Sequence, residues 1–305
     1  MFSGIYGIHN GSEINKIRSE LLFQIHRLEK GLVLKNTRFG FGIGSINTII
    51  NLLKEYRQNF SNQKEYDLDR IKQYAESILF KYDLYHKNHN AEHSFRNHAD
   101  FLVHINSSLL IESGVEQVNT SELNFVNYDE VVSSRFSCRA FTKELVKQDC
   151  LENAIKLAMN TPSVCNRQHW RVRHFTNKEA KVILKYQNGN STFNEEINEI
   201  LVVTSDLSFF RTPFERIQPY TDAGMFSMNL LNSLHRYQIG SCPLNWAASL
   251  EQNIFIDKNN FIEKHEVVVM LIAIGNYPNI VNRTMSTKIG IEDVYLNRQA
   301  KIANE

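Results

Sequence analysis

The sequence predicts an α+β fold, a small central sheet packed by helices, preceded by a mainly helical N-terminal region. Three observations predict it. Apolar residues recur at steps of three and four over the first 105 or so residues. From 105 to 129 that periodicity breaks on Ser, Gly, Asn and Thr. Beyond it, helical segments alternate with short runs rich in β-branched residues.

The first helix is read from "EINKIRSELLFQIHRLEK", residues 13–30, where Ile14, Ile17, Leu21, Ile25 and Leu28 line one face. Ser12 supplies an N-cap and Gly31 a C-terminal stop. A second helix is expected from about Ser45 through "INTIINLLKEY", and a third from about Leu68 through "DRIKQYAESILFKYDLYH". Residues 1–105 then form a helical extension, 106–127 a linker and 128–305 a second domain. There, "KQDCLENAIKLAMN" and "AGMFSMNLLNSLHRY" read as helices, while "WRVRHFT", "EILVVTSD" and "EVVVMLIAIGNY" read as strands.

A chain of 305 residues with 42% apolar and 22% charged content reads as a globular protein able to bury a sizeable core. Its net charge of +1 provides no global field for nucleic acid or an anionic membrane, so any anion site must be local. No apolar run is long enough to span a bilayer and the first residues lack a signal-peptide pattern, which gives a cytoplasmic reading. Cys138, Cys150, Cys165 and Cys242 form no CxxC pair, so no zinc site or redox dithiol is expected.

Three stretches could carry chemistry. In "SSRFSCRAF", residues 133–141, Arg135, Ser137 and Arg139 alternate. An extended backbone would point all three the same way, toward one small anion such as a phosphate. A solvated strand edge explains the same letters. In "NTPSVCNRQHW", residues 160–170, Pro162 and Ser163 end a helix, and Asn166, Arg167 and Gln168 offer donors at successive positions, as a planar heterocycle with several carbonyls would require. A self-satisfied turn before a strand, with Trp170 in the core, is the other reading. In "IGSCPLNWA", residues 239–247, Gly240 and Pro243 suggest a rigid apolar loop able to lie against a ring, or simply a helix stop.

Taken in order, "SRFSCRAF", "AIKLAMNTPSVCNRQHW", "DAGMFSMNLLNSLHRYQIGSCPLNW" and "VVVMLIAIGNYP" resemble the successive signatures of the nitroreductase family of flavoproteins, over about residues 128 to 290. The resemblance implies a nitroreductase-like core that binds flavin mononucleotide (FMN). It puts Arg135, Ser137 and Arg139 on the FMN phosphate, with Arg283 as a second phosphate ligand. Pro162, Ser163 and Asn166 fall on the flavin-ring loop with Arg167 and Gln168 beside them, and Pro243, Leu244 and Asn245 on the segment against the isoalloxazine. Asn194, in "STFNEE", resembles a ring contact from the other subunit of a homodimer. Two departures stand out: His169 occupies a position where the family more often has proline, and Phe136 one where a second basic residue is common. "FQIHRLEKGL" resembles longer members of the family, some of them associated with surface-polysaccharide clusters.

The chemistry implied is hydride transfer from NADH or NADPH to flavin N5 and on to a small electron acceptor, in ping-pong fashion, with no side-chain nucleophile or general base. Arg167 is the candidate that stabilises the reduced flavin. The alternatives are a flavin-binding scaffold, or a specialised flavoenzyme on the same fold (a dehalogenase, a dehydrogenase or a flavin-degrading enzyme), differing in the lid "DLSFFRTPFERIQPYT", residues 206–221, with Arg211, Arg216 and Tyr220. His86, His89 and His93 share a helical face, but a solvated polar helix explains them and no metal is expected. "RFGFGIG", residues 38–44, lacks the Lys-Ser/Thr of a phosphate loop and reads as a connector. His169 and His174 are an odd number apart in a strand and should not share a site.

Overall fold

The computed structural model describes residues 13–59, 66–105, 111, 114–123, 127–164, 167–210 and 213–296. Among these, no helix is long and apolar enough to cross a membrane. The chain falls into two compact units: residues up to Glu116 together with those from Thr284 onward, and Gln117–Arg283.

The first unit is built on α1 (Glu13–Leu32), α2 (Ile43–Asn59), α3 (Tyr66–Asn88) and α4 (Ala99–Ile105). Ile17, Leu21, Ile25 and Leu28 are buried as the spacing predicts, against Ile46, Ile49, Leu53, Ile78 and Tyr82. Each such side chain stabilises the unit by about 1.5–3 kcal/mol. Ser12 and the side chain of Ile14 lie outside the described residues. Gly31 does not stop the helix, because α1 runs through it to Leu32. A Cβ at Gly31 would sit 2.0 Å from the Phe41 ring, so glycine is there to let that ring approach.

Two buried histidines of this unit have hydrogen-bond partners. His86 accepts the Gly40 N–H at 2.9 Å through Nε2 and faces the Tyr82 carbonyl at 2.8 Å through Nδ1. His93 meets Asp83 at 3.0 Å. His86 is fully buried and His89 exposed, so the three histidines do not share one environment. Among the described residues, no group of three or more His, Cys, Asp or Glu is arranged to hold a metal ion.

The stretch expected as linker contains β1 (Val115–Asn119) and a 3-10 turn, Thr120–Glu122. Its polar composition hid a strand whose pairing partner is far along the chain.

The second unit then runs α5 (Tyr128–Ser134), α6 (Gln148–Ala158), β2 (Trp170–Thr176), α7 (Asn177–Leu184), β3 (Glu199–Asp206), α8 (Gln218–Arg236), β4 (Ile239–Leu244), α9 (Leu250–Lys258) and β5 (Glu266–Asn276). The sheet order is β2-β3-β5-β4, antiparallel throughout. This is the small sheet packed by helices that the α+β reading predicts, and the three runs expected as strands are β2, β3 and β5. Trp170 is core, stacked on Phe226 of α8 with ring centroids 4.9 Å apart.

"SCPLN" was expected as a loop; it is instead largely β4, with Pro243 opposite Ile272 and Leu244 opposite Leu271. Proline is tolerated because β4 is an edge strand, whose outer side meets only an isolated bridge, Ser137 to Ser241. β6 (Ile280–Thr284) pairs with β1. After Thr284 the chain rejoins the helical unit, where the Met285 N–H donates to the Gly114 carbonyl at 2.8 Å, and a short α10 (Ile291–Val294) follows. The compact units group this last segment with the first helices, where the expected division was 1–105, a linker at 106–127, and 128–305.

Candidate functional site

Arg135 leaves α5 with extended backbone, and the chain then meets the edge of β4 at the Ser137–Ser241 bridge and through a 2.9 Å hydrogen bond from the Cys138 N–H to the Ser241 carbonyl. Arg135 is thus extended and Ser137 bridged to a strand. Arg139 is buried and donates Nη1 to the Ser137 carbonyl at 3.2 Å.

Arg135 is the site's most telling group. Its Nε and Nη1 are buried and meet no hydrogen-bond partner among the described residues. Burial also pulls its pKa below the usual guanidinium value. Buried donors left unpaired are costly, and a guanidinium has only donors to offer, so their complement must be an acceptor, best a negative one. Arg283, on β6, arrives at the same place: its Nη1 donates to the Ser134 carbonyl at 3.4 Å and its guanidinium lies over the Phe136 ring at 5.9 Å. The two arginines expected on one phosphate, 148 positions apart (283 − 135), are thus neighbours of the same Ser134–Phe136 segment.

His235 of α8, fully buried, lies between Ser134 Oγ at 2.9 Å and the Tyr277 hydroxyl at 2.7 Å. Burial first, and then the Arg135 and Arg283 charges, press its pKa down to about 4, so the imidazole is neutral. Burial likewise pushes the Tyr277 phenol well up and the Cys138 thiol up to about 12, which keeps both protonated. The phosphate end of the expected site is therefore positive only through its arginines.

The second stretch is built differently. Pro162 is exposed and Ser163 accepts the Gln168 N–H at 2.9 Å, closing the turn on itself. Gln168 takes φ +47°, a left-handed conformation uncommon for a residue with a Cβ. The Val164 N–H donates to Asp222 of α8 at 2.9 Å. Asn166 lies outside the described residues. Arg167 is tied to Glu215 at 2.6 Å and lies 5.3 Å from the Phe210 ring centroid. Its charge is thus offset by a carboxylate, which the reading of Arg167 as a tuning cation did not include.

Sequence reasoning missed His169, Asp222 and Ser205 as a set. His169 stands 3.1 Å from Asp222 through Nε2 and 2.8 Å from Ser205 through Nδ1, and all three are buried. The residue types are those of a nucleophilic triad, but no solvent reaches them, so they brace the loop that begins at Pro162. His174 is engaged elsewhere, with Glu199 at 2.8 Å, so the two histidines occupy separate places.

Leu244 is buried and Pro243 half-buried on β4. Asn245 follows as an exposed residue whose carbonyl accepts from Gln187 at 3.0 Å. Asn194 opens a 3-10 turn, Asn194–Glu196, and its carbonyl accepts from Lys181. In the lid, Arg211 lies outside the described residues, while Arg216 and Tyr220 are exposed. One cleft in this unit, of about 340 Å³, is lined by Tyr128, Leu157, Asn229 and Arg236 among others, and another, of about 280 Å³, by Tyr220, Trp246 and Glu266 among others. Neither is lined by the residues expected to hold a flavin.

The solved structures similar to this chain include an FMN complex from Desulfovibrio desulfuricans (18% identity, 57% of this chain and 97% of that one, TM-score 0.48). A nitroreductase family protein from Streptococcus pneumoniae gives 17% identity over 56% of this chain and 100% of that one, TM-score 0.47. A nitroreductase-like family protein from Bacillus cereus gives 16% identity over 58% and 98%, TM-score 0.48. No curated protein matches the chain. A family model does: over residues 132–212, from the last turn of α5 to the lid, the sequence matches the nitroreductase family.

Proposed function

We propose that this chain is an FMN-dependent oxidoreductase that draws reducing equivalents from NADH or NADPH and delivers them to a small electron-accepting molecule. The observation that carries the reading is half-buried Arg135, whose Nε and Nη1 are buried without a hydrogen-bond partner, with Arg283 on the same Ser134–Phe136 segment, donor-only chemistry that suits a phosphate. It lies at the edge of the segment that matches the family. Arg135, Arg283, Ser137 and Arg139 would hold the phosphate. Pro162, Ser163, Asn166, Arg167 and Gln168 would border the ring, with Pro243, Leu244 and Asn245 against its face and Asn194 reaching it from a second subunit. When bound, FMN supplies the hydride-accepting atom, N5, on which the redox step depends.

The spacing along α8 supports a homodimeric site. His235 holds the arginine end and Asp222 the turn at Ser163–Gln168, 13 residues apart on one helix (235 − 222). At 1.5 Å per residue that is about 20 Å. That separation leaves room for a ring loop from a second subunit beside a flavin anchored at the arginines of the first. Leu157 on α6 and Met159 just beyond it, with Met225 and Met228 on α8, leave an exposed apolar surface suited to such pairing. The setting proposed is the cytoplasm.

The test is an absorbance spectrum of the purified protein followed by anaerobic NADH and then NADPH. A yellow protein bleached by either donor is expected. A yellow protein that neither bleaches would favour the scaffold or specialised-enzyme reading. A colourless one that takes up no FMN, or R135A and R139A variants with undiminished flavin, would overturn the flavin assignment.

A further inference from the structure

We propose that His235 is a positioning residue for the anion end of the site: through Ser134 it sets the two guanidiniums, Arg135 and Arg283, at the spacing one phosphate monoester requires. The inference rests on the flavin-phosphate reading above and adds a residue that the resemblance did not supply.

The hydrogen-bond network assigns the imidazole's tautomer. Ser134 Oγ has a single hydrogen, and it goes to the Glu130 carbonyl at 2.5 Å. Toward His235 Nε2, 2.9 Å away, the hydroxyl must therefore accept, so Nε2 carries the proton. Nδ1 is left as acceptor and takes the Tyr277 O–H at 2.7 Å. Both ring nitrogens are used and the residue is fully buried, so His235 cannot touch a ligand itself. Its neutrality matters, because a third cation beside Arg135 and Arg283 would repel both, and protonated Nδ1 would lose Tyr277.

What His235 controls is Ser134. That residue ends α5 and caries both arginines: Arg135 follows it covalently, and Arg283 donates to its carbonyl at 3.4 Å. The Nε2–H bond ties this point to α8, which is fixed in the core by Phe226, Leu230 and Leu234. Phe136, 6.3 Å from the His235 ring and 5.6 Å from the Tyr277 ring, carries the cation contact with Arg283, so the same imidazole braces both sides. Removing it would leave the arginines in place chemically but loosen their mutual geometry, on which bidentate recognition of phosphate depends.

The experiment compares FMN with riboflavin, which lacks the phosphate, by titration of flavin fluorescence against the full-length wild type and H235A, H235Q, S134A and R135A. H235A should bind FMN at least about tenfold more weakly, the equivalent of one lost anchoring interaction, with riboflavin affinity unchanged. H235Q, which keeps a donor toward Ser134, should recover most of the loss, and S134A should resemble H235A. Equal weakening of FMN and riboflavin, or FMN binding untouched in H235A while R135A loses it, would overturn the role of His235 alone. FMN binding untouched in R135A would instead sink the flavin-phosphate reading. If H235A does not fold, S134A and H235Q decide the question by the same two ligands.

Discussion

His169 Nε2 lies 3.1 Å from the Asp222 carboxylate, and both side chains are sealed from solvent. The same carboxylate accepts from the Val164 N–H at 2.9 Å and from Gln218 at 2.6 Å. One buried group thus ties the turn after Pro162 to the first turns of α8. D222A would leave an imidazole and a backbone N–H unsatisfied in the interior. Leaving a buried donor unpaired costs about 1–3 kcal/mol. Urea unfolding of wild type and D222A measures it, and a loss below about 1 kcal/mol would show that the loop is held by other means.

The titration of His235 gives a pH prediction. Its pKa is about 4 in the folded chain against 6.5 ordinarily. Between those values the unfolded chain binds a proton that the folded chain refuses, so stability rises with pH across the window. The contribution is complete above about pH 6.5 and is lost as pH falls toward 4. At about 1.4 kcal/mol per pH unit, the total is on the order of 3 kcal/mol. Denaturation midpoints across this range should fall less steeply in H235Q than in wild type; parallel curves would rule the prediction out.

Gly31 sets two effects against each other. Gly to Ala inside an exposed helix stabilises by up to about 1 kcal/mol. Here the new methyl would sit 2.0 Å from the Phe41 ring, and overpacking typically costs about 1–3 kcal/mol. Steric cost wins, so G31A should destabilise by about 1–2 kcal/mol. In an F41A background the same substitution should become stabilising, and a double-mutant cycle reads the reversal. A stabilising G31A in the wild-type chain would mean that the ring relocates freely.

These residues also show how far the sequence could be read. Periodicity found α1 and α2 because Leu21, Ile25, Ile49 and Leu53 each bury their side chains by local spacing alone. Alternation singled out Arg135 and Arg139 because an extended segment has period two. Pro243 misled, since whether proline interrupts a strand depends on that strand lying at a sheet edge, a tertiary fact. Gly31 misled likewise, because its reason is a ring ten residues away. His169 with Asp222, and His235 with Tyr277, are 53 and 42 positions apart, and only the packing of α8 on the sheet makes them partners. β1 was invisible because a strand so polar is specified by its pairing partner.

The pairing of Arg167 with Glu215 carries the last prediction, which rests on the flavin reading. If Arg167 borders the ring, its positive charge favours the anionic reduced flavin, and Glu215 at 2.6 Å offsets that charge. E215Q keeps the shape and a hydrogen-bond acceptor but removes the negative charge, so the flavin should become easier to reduce. A gain of about 1.4 kcal/mol for the reduced state corresponds to a rise of roughly 30 mV for a two-electron couple. Equilibration of the bound flavin with a reference dye under anaerobic conditions measures the shift. R167Q should move the potential the other way, since it removes the favourable charge and leaves Glu215 unopposed. If both variants leave the potential unchanged, Arg167 does not face the flavin, and the pair serves only to hold the lid segment that begins at Pro213.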